Sequence, residues 1–258
     1  MNYDLTSSGT LVTDRNTAIA RGRVEGSQPF GSYGEFTATG AVTNHLIWPD
    51  GDFNIPAATG VQVTLISTST EDGVGGTGIR SIELHYLDGN LLDQFETVIL
   101  NGTTGVLTTA TDIRFIQCMH VLTIGTAKQS VGVINATNST VVYSQIPVGA
   151  RRCASSARMI PAGKSCYIAG VSGGAISGTA ATGALIRISS TWFEGHDLTS
   201  NAILIPFGSM AMQDNSVSYT FPLPAGPFPA GAIIAMEVTL DKAATVTGDW
   251  FGWVEATV

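Results

Sequence analysis

The chain has 258 residues, 44% of them apolar and only 12% charged, about half the usual charged share. It therefore holds material for a large core and must cover much of its surface with something other than charge. Twelve basic against twenty acidic residues leave a net charge of −8, a balance that repels phosphate backbones and argues against a direct nucleic-acid partner.

The polar remainder is mostly Thr, Ser, Gly and Asn, which suits strands and tight turns, and no apolar period of about 3.6 residues is sustained anywhere. The expected fold class is all-β, a jelly-roll-like antiparallel β-sandwich. At this length one large β domain or two intimate ones are both allowed. The opening Met1-Asn2-Tyr3-Asp4-Leu5 lacks the basic and apolar regions of a secretory signal, and no run approaches the ~18 apolar residues of a membrane span. The expectation is a soluble product made in a cytoplasm, with no membrane partner. Cys118, Cys153 and Cys166 are odd in number and lack CxxC spacing, so they read as buried reduced thiols. Asn101-Gly102-Thr103, Asn135-Ala136-Thr137 and Asn138-Ser139-Thr140 fit the glycosylation pattern but, without a signal, read as turns.

Residues 1–35 carry only short apolar runs, Leu11-Val12 and Ala18-Ile19-Ala20, and are expected to form an extended N-terminal arm held by a neighbour. Residues 36–258 are expected to form the sandwich, divisible into two intimate β subdomains near 146–150. Within it, short β-like runs alternate with turn residues. Val61 to Ile66 is the first clear run, followed by Ile79 to Leu87, where period two sets Ile82, Leu84 and Tyr86 on one face. Asp88-Gly89-Asn90 is a turn, Glu96 to Leu100 a strand, and Asn101-Gly102 a tight-turn dipeptide, so an antiparallel meander is expected here. Further strands are expected at 113–124, 131–136, 141–146, 165–171, 184–192, 202–206, 216–221, 232–240 and 247–255. Ile55-Pro56-Ala57-Ala58, Ile160-Pro161-Ala162-Gly163 and Phe228-Pro229-Ala230-Gly231 share a Pro-initiated phrase that starts a strand at a sheet corner.

Each chemical motif fails its context. Gly73-Val74-Gly75-Gly76-Thr77-Gly78 fits GxGxxG but leads into a strand where a dinucleotide site needs a helix, so it reads as a flexible hairpin loop. Gly163-Lys164-Ser165 lacks the earlier glycine of a phosphate loop, since position 158 is Arg. Gly170-Val171-Ser172-Gly173-Gly174 fits a nucleophile elbow, yet Glu194 and His196, its sole downstream acid–histidine pair, are too close together for a triad with Ser172. His45, His85, His120 and His196 have no metal spacing and read as lone histidines. Asp50-Gly51-Asp52-Phe53-Asn54 starts like a calcium loop but places Ile55 and Val61 where glycine and glutamate are required. Asp50, Asp52, Glu71 and Asp72 remain an irregular calcium alternative to plain solvated turns, and no particular carboxylate pair points to glycoside hydrolysis. Arg151, Arg152 and Arg158 form the densest basic cluster and read as a local salt-bridge or interface group. Trp250, Phe251 and Trp253 crowd the last strand, so both of its faces carry aromatic surface; one face is an intersubunit contact, or both are buried in one core. The expected site inventory is thus empty: no catalytic residue, no cofactor, no metal.

The segments Gly78-Ile79-Arg80-Ser81-Ile82-Glu83, Leu87-Asp88-Gly89-Asn90 and Glu96-Thr97-Val98-Ile99-Leu100-Asn101-Gly102-Thr103 resemble a phrase of the β-sandwich virion proteins of tailed bacteriophages. Phe228-Pro229-Ala230-Gly231 and Phe251-Gly252-Trp253 echo it, and the likeness spans about half of the chain. The resemblance implies a non-enzymatic virion structural protein made in the host cytoplasm, a capsid decoration (cement) protein working as a homo-oligomer. A trimer is favoured, and the partners are a major capsid protein or other virion proteins. Residues 1–35 would anchor it to the particle or to a neighbouring subunit. The alternatives are a tail or head fibre or an adaptor, or a receptor (glycan)-binding module using Trp48 or Trp192, and last a depolymerase-like hydrolase.

Overall fold

Runs of β-branched and aromatic residues, cut every few positions by Gly, Pro, Asn or Asp, leave the chain little choice but to pair as antiparallel strands. The computed structural model describes residues 4–5, 11–12, 18–19, 24–50, 53–177, 183–190, 205–213 and 216–257. Its strands are β1 (Asp4–Leu5), β2 (Leu11–Val12), β3 (Ser27–Ala38), β4 (Val42–Leu46), β5 (Thr64–Ser67) and β6 (Ile79–Leu87). Next come β7 (Asp93–Ile99), β8 (Val106–Leu107), β9 (Phe115–Ile124), β10 (Ile134–Asn138), β11 (Val141–Ile146) and β12 (Arg158–Met159). The C-terminal part adds β13 (Lys164–Ile176), β14 (Gly183–Ser190), β15 (Ile205–Gln213), β16 (Ser216–Phe228), β17 (Ile233–Leu240) and β18 (Ala244–Ala256).

The expected all-β class is what the molecule has, arranged as one sandwich inserted into another. The outer sandwich sets the sheet β16-β13-β18-β3 against β12-β17-β14-β15, to which β4 adds through β17. Its core includes Ile168, Ile186, Met236, Val246 and Trp250. Between β4 and β12 the chain builds the inserted sandwich, β11-β10-β5-β8 against β7-β6-β9, around Leu65, Leu84, Met119 and Ile134. Strands β6 and β7 form the expected hairpin, but β9 returns to the far side of β6, so the local order is not a meander. The outer sandwich is therefore discontinuous in sequence, with crossing points near residues 50–60 and 150–157. The expected arm of residues 1–35 overlaps β3 from Ser27 to Glu35, because β3 pairs with β18 along its length, from Ser27 with Glu255 to Ala38 with Ala244. Upstream, Ile19 is buried against Ala169 and Trp253 on the outer face of that sheet. Trp250 points into the core and Trp253 under Ile19, while Phe251 is exposed, so the two faces of β18 are aromatic for different reasons. Two of the Pro-initiated phrases meet at one corner, where the Gly231 N–H donates to Ile160 O and the Ile160 N–H to Ala232 O.

A strap, residues 153–157, crosses between the sandwiches and binds both. Ser156 is fully buried and spends every polar atom there. Its N–H donates to Ile47 O at 3.0 Å, its carbonyl accepts Trp250 Nε1–H at 2.7 Å, and its hydroxyl donates to Met236 O and accepts the Met236 N–H, both at 3.1 Å. Ser155 O accepts from Ser32 Oγ, Ala154 O from the Glu35 N–H, and Gln117 brackets Met159 through both its amide atoms. The approach is so close that Gly34 cannot carry a side chain: a Cβ there would lie 2.6 Å from Ser156 N and collide with Ile47 O.

At the head of the strap Cys153 is disulfide-bonded to Cys118, with Cα atoms 5.7 Å apart. This corrects the expectation of reduced thiols for that pair, which 35 residues of sequence separation conceal. Cys166 is free and buried as expected, and burial pushes its thiol up to about 12.

Removing the Ser156 hydroxyl (Ser156→Ala) strands the Met236 N–H in a dry interior, while the Met236 carbonyl keeps the Ile47 N–H, and should lower unfolding free energy by about 1–3 kcal/mol in urea titration. Cys118→Ser should cost about 2–4 kcal/mol by the same measurement, reproduced in wild type by reductant.

Candidate functional site

Two surfaces flank the strap. The first is the outer face of β7-β6-β9. Register places Phe95 opposite His85, Thr97 opposite Glu83 and Ile99 opposite Ser81 on β6, and on β9 His120 opposite Glu83. Alternation along β7 sends Val98 into the core and leaves Phe95 and Ile99 61% and 59% exposed. Leu92 and Leu122 extend this apolar exposure, and β7 is an edge strand with β6 its only partner among the described strands. Amid these side chains His85 and His120 stand edge to face with ring centroids 4.6 Å apart; His85 Nε2 lies 2.6 Å from Glu83 Oε1, and its ring meets Phe95 at 4.2 Å. Sequence spacing had these as lone histidines, and the β6–β9 register is what unites them.

Burial, reinforced by His85 and Arg158, holds the His120 imidazole below its ordinary value. Burial, with Arg152 adding to it, lowers the Arg158 guanidinium to about 10, and Arg158 Nε is shut off from solvent with no hydrogen-bond partner among the described residues. Asp93 is raised by burial in the same neighbourhood, with Lys164, His85 and Arg158 opposing the rise.

The second surface is a cleft of about 420 Å³ between β3 and residues 147–154, lined by Tyr33, Glu35, Val148, Arg151, Arg152 and their neighbours. The turn at 147–150 is fixed by the buried Ser130, whose hydroxyl donates to Pro147 O and whose carbonyl accepts the Gly149 N–H. Tyr33 Oη donates to Glu35 Oε2 at 3.0 Å, and the Arg152 guanidinium carbon sits 5.0 Å from the Tyr33 ring centroid. Burial, followed by the bond to Glu35, pushes the Tyr33 phenol up to about 12. Beside Tyr33 in the ladder, burial raises the Asp249 carboxyl, which accepts from Ser172 Oγ.

The motifs resolve as structure. Ser172 lies mid-strand in β13, between β16 and β18, and not on a strand-to-helix elbow; Glu194 and His196 lie outside the described residues. His45 stacks on Phe36 at 3.9 Å. Asp72 is wholly buried and accepts four hydrogen bonds, from Ser67 Oγ and from the N–H groups of Ile79, Val131 and Gly132, so it is a structural knot and not a solvated turn. Glu71 Oε2 accepts from the Thr77 N–H and Oγ1, which ties the 73–78 glycine loop near its end, with Val74 at its tip exposed. Asp52 is outside the described residues, and among those described no three His, Cys, Asp or Glu side chains are grouped to hold a metal ion. Of the arginines, Arg151, Arg152 and Arg158 have no carboxylate within 4.0 Å among the described residues, against the salt-bridge reading. Trp48 is fully buried against Phe53 and cannot serve as a glycan platform, and Trp192 is outside the described residues. No described helix is long and apolar enough to cross a membrane.

No protein-family model matches the chain, and no curated protein does. Among solved structures, a chain from "Structure of infectious bursal disease virus Gt strain" is 13% identical over 90% of this chain and 80% of its own, with a TM-score of 0.14. At that TM-score the likeness supports neither a fold nor a function.

His120 sets a pH dependence. Because the folded state holds this imidazole below its ordinary value of 6.5, the unfolded chain binds the proton more readily. The stabilisation is present above that value and is lost as pH falls through the depressed folded one. Thermal midpoints should drop between about pH 7 and pH 5, and His120→Gln should flatten the drop. Asp93, raised by burial, works in the opposite sense, in the carboxylate range.

Proposed function

We propose that this chain is a virion structural protein, a capsid decoration or cement protein that acts by assembling into multimers, with a trimer as the favoured order. The observation that supports it is the apolar row on β7: Phe95 and Ile99 stand about 60% exposed on a free edge strand, beside Leu92. A lone monomer gains nothing from holding an aromatic and a branched aliphatic in water on a strand edge, where they invite pairing with another chain. The occupant of this face is a second copy of the chain. Glu83, His85 and His120 ring the apolar residues with hydrogen-bonding groups that a neighbouring copy can meet, and the charge-poor surface around them lowers the cost of desolvation. The disulfide adds support, because such bonds persist on particle surfaces and outside the reducing cytoplasm.

Light scattering behind size exclusion should return a multiple of 26.8 kDa for the wild type. Phe95→Asp with Ile99→Asp should shift it toward the single-chain mass, weakening association by about 2 kcal/mol or more, with a thermal midpoint that falls only to that of the wild type diluted below assembly. A wild type that stays monomeric at all concentrations, or a mass indifferent to both substitutions, would contradict the reading.

A further inference from the structure

Three of the twelve basic residues in this acidic chain, Arg151, Arg152 and Arg158, fall within eight positions, and none has a carboxylate partner within ion-pair distance among the described residues. Two of them, Arg151 and Arg152, are exposed and line the cleft against β3. Exposed guanidinium groups left unpaired, in a chain with acids to spare, mark a place for an anion from outside. The opposite wall is different. Glu35 uses Oε2 to hold Tyr33 Oη and has no donor at Oε1 among the described residues, so that wall accepts hydroxyl hydrogens. Tyr33 adds an aromatic ring and Val148, 59% exposed, an apolar lip.

The ligand must therefore carry an anionic group at one end and hydroxyl donors at the other. Phosphate or sulfate satisfies the arginines but meets Glu35, with Asp249 close to Tyr33 behind it, and a compact multivalent anion is repelled there. A neutral sugar leaves the guanidinium pair unused. The volume of about 420 Å³ admits one or two sugar rings.

We propose that this cleft is a binding subsite for a carboxylate-bearing saccharide, with Arg151 and Arg152 taking the carboxylate in charge-assisted hydrogen bonds and Glu35 and Tyr33 taking ring hydroxyls. It rests on different residues from the assembly face and stands whether or not the chain multimerises.

Isothermal titration with methyl glucuronide, methyl glucoside and potassium sulfate tests it. The glucuronide should bind with a Kd on the order of 1 mM, the glucoside about tenfold more weakly, and sulfate should compete poorly. Arg152→Gln should weaken the glucuronide about tenfold with little effect on the glucoside, and Glu35→Gln should weaken both. Arg151→Gln, on an exposed residue, supplies the same comparison if Arg152→Gln lowers the thermal midpoint. Absence of heat at about 10 mM glucuronide, equal binding of the glucoside, or full competition by sulfate would overturn the proposal. So would an Arg152→Gln variant that loses self-association and not sugar binding, which would give the cleft to a neighbouring copy.

Discussion

Everything in the fold converges on Ser156. A serine in the middle of a dry interior is stable only if all of its polar atoms find partners, and here they find three separate segments: Ile47 after β4, Met236 in β17 and Trp250 in β18. Those bonds fix where the strap enters the outer sandwich, while Cys153 and Gln117 fix where it leaves the inserted one. The two sandwiches share a junction core of Trp48, Phe115, Met159 and Ile233. With the strap fixed at both ends, the cleft lined by 147–154 and the outer face of β9 are held in place as consequences of the same few hydrogen bonds.

Much of this was legible in the sequence. Ile79 to Leu87 and Glu96 to Leu100 announce themselves as strands through their β-branched and apolar residues, and the turns after them through Asp88-Gly89 and Asn101-Gly102. Asn101-Gly102 does what that dipeptide suggests, with Gly102 at φ 60° and a position so close to Thr70 that a Cβ would lie 2.9 Å from its Cα. Strand β3 was hidden for an equally physical reason. Ser27-Gln28-Pro29-Phe30-Gly31-Ser32-Tyr33-Gly34-Glu35 has no β-branched residue, and its strand character is imposed by β18, 228 residues away at Ser27 and Glu255.

The site was less legible, because every grouping in it is made by long-range register. His85 and His120 are 35 positions apart and neither sits in a metal spacing, yet one antiparallel ladder stacks their rings. Tyr33 and Glu35 come from β3 of the outer sandwich, and Arg152 from the segment that follows the inserted one, more than a hundred residues later. Asp72 shows the converse: a carboxylate read as belonging to a solvated or calcium-binding turn is consumed by four internal hydrogen bonds and has no capacity left for a ligand. The sequence does reveal an arginine cluster in an acidic chain; what it conceals is that the cluster has no carboxylate within ion-pair distance among the described residues.

The outer face of β7 is the proposed meeting place for copies of this chain. Amide hydrogen exchange, followed at concentrations above and below assembly, tests it at the residues concerned. Protection of 93–99 and the facing stretch of β6 should rise with concentration while the strap and the outer sandwich core stay unchanged. Protection of 93–99 that is independent of concentration, with the change elsewhere, would contradict it.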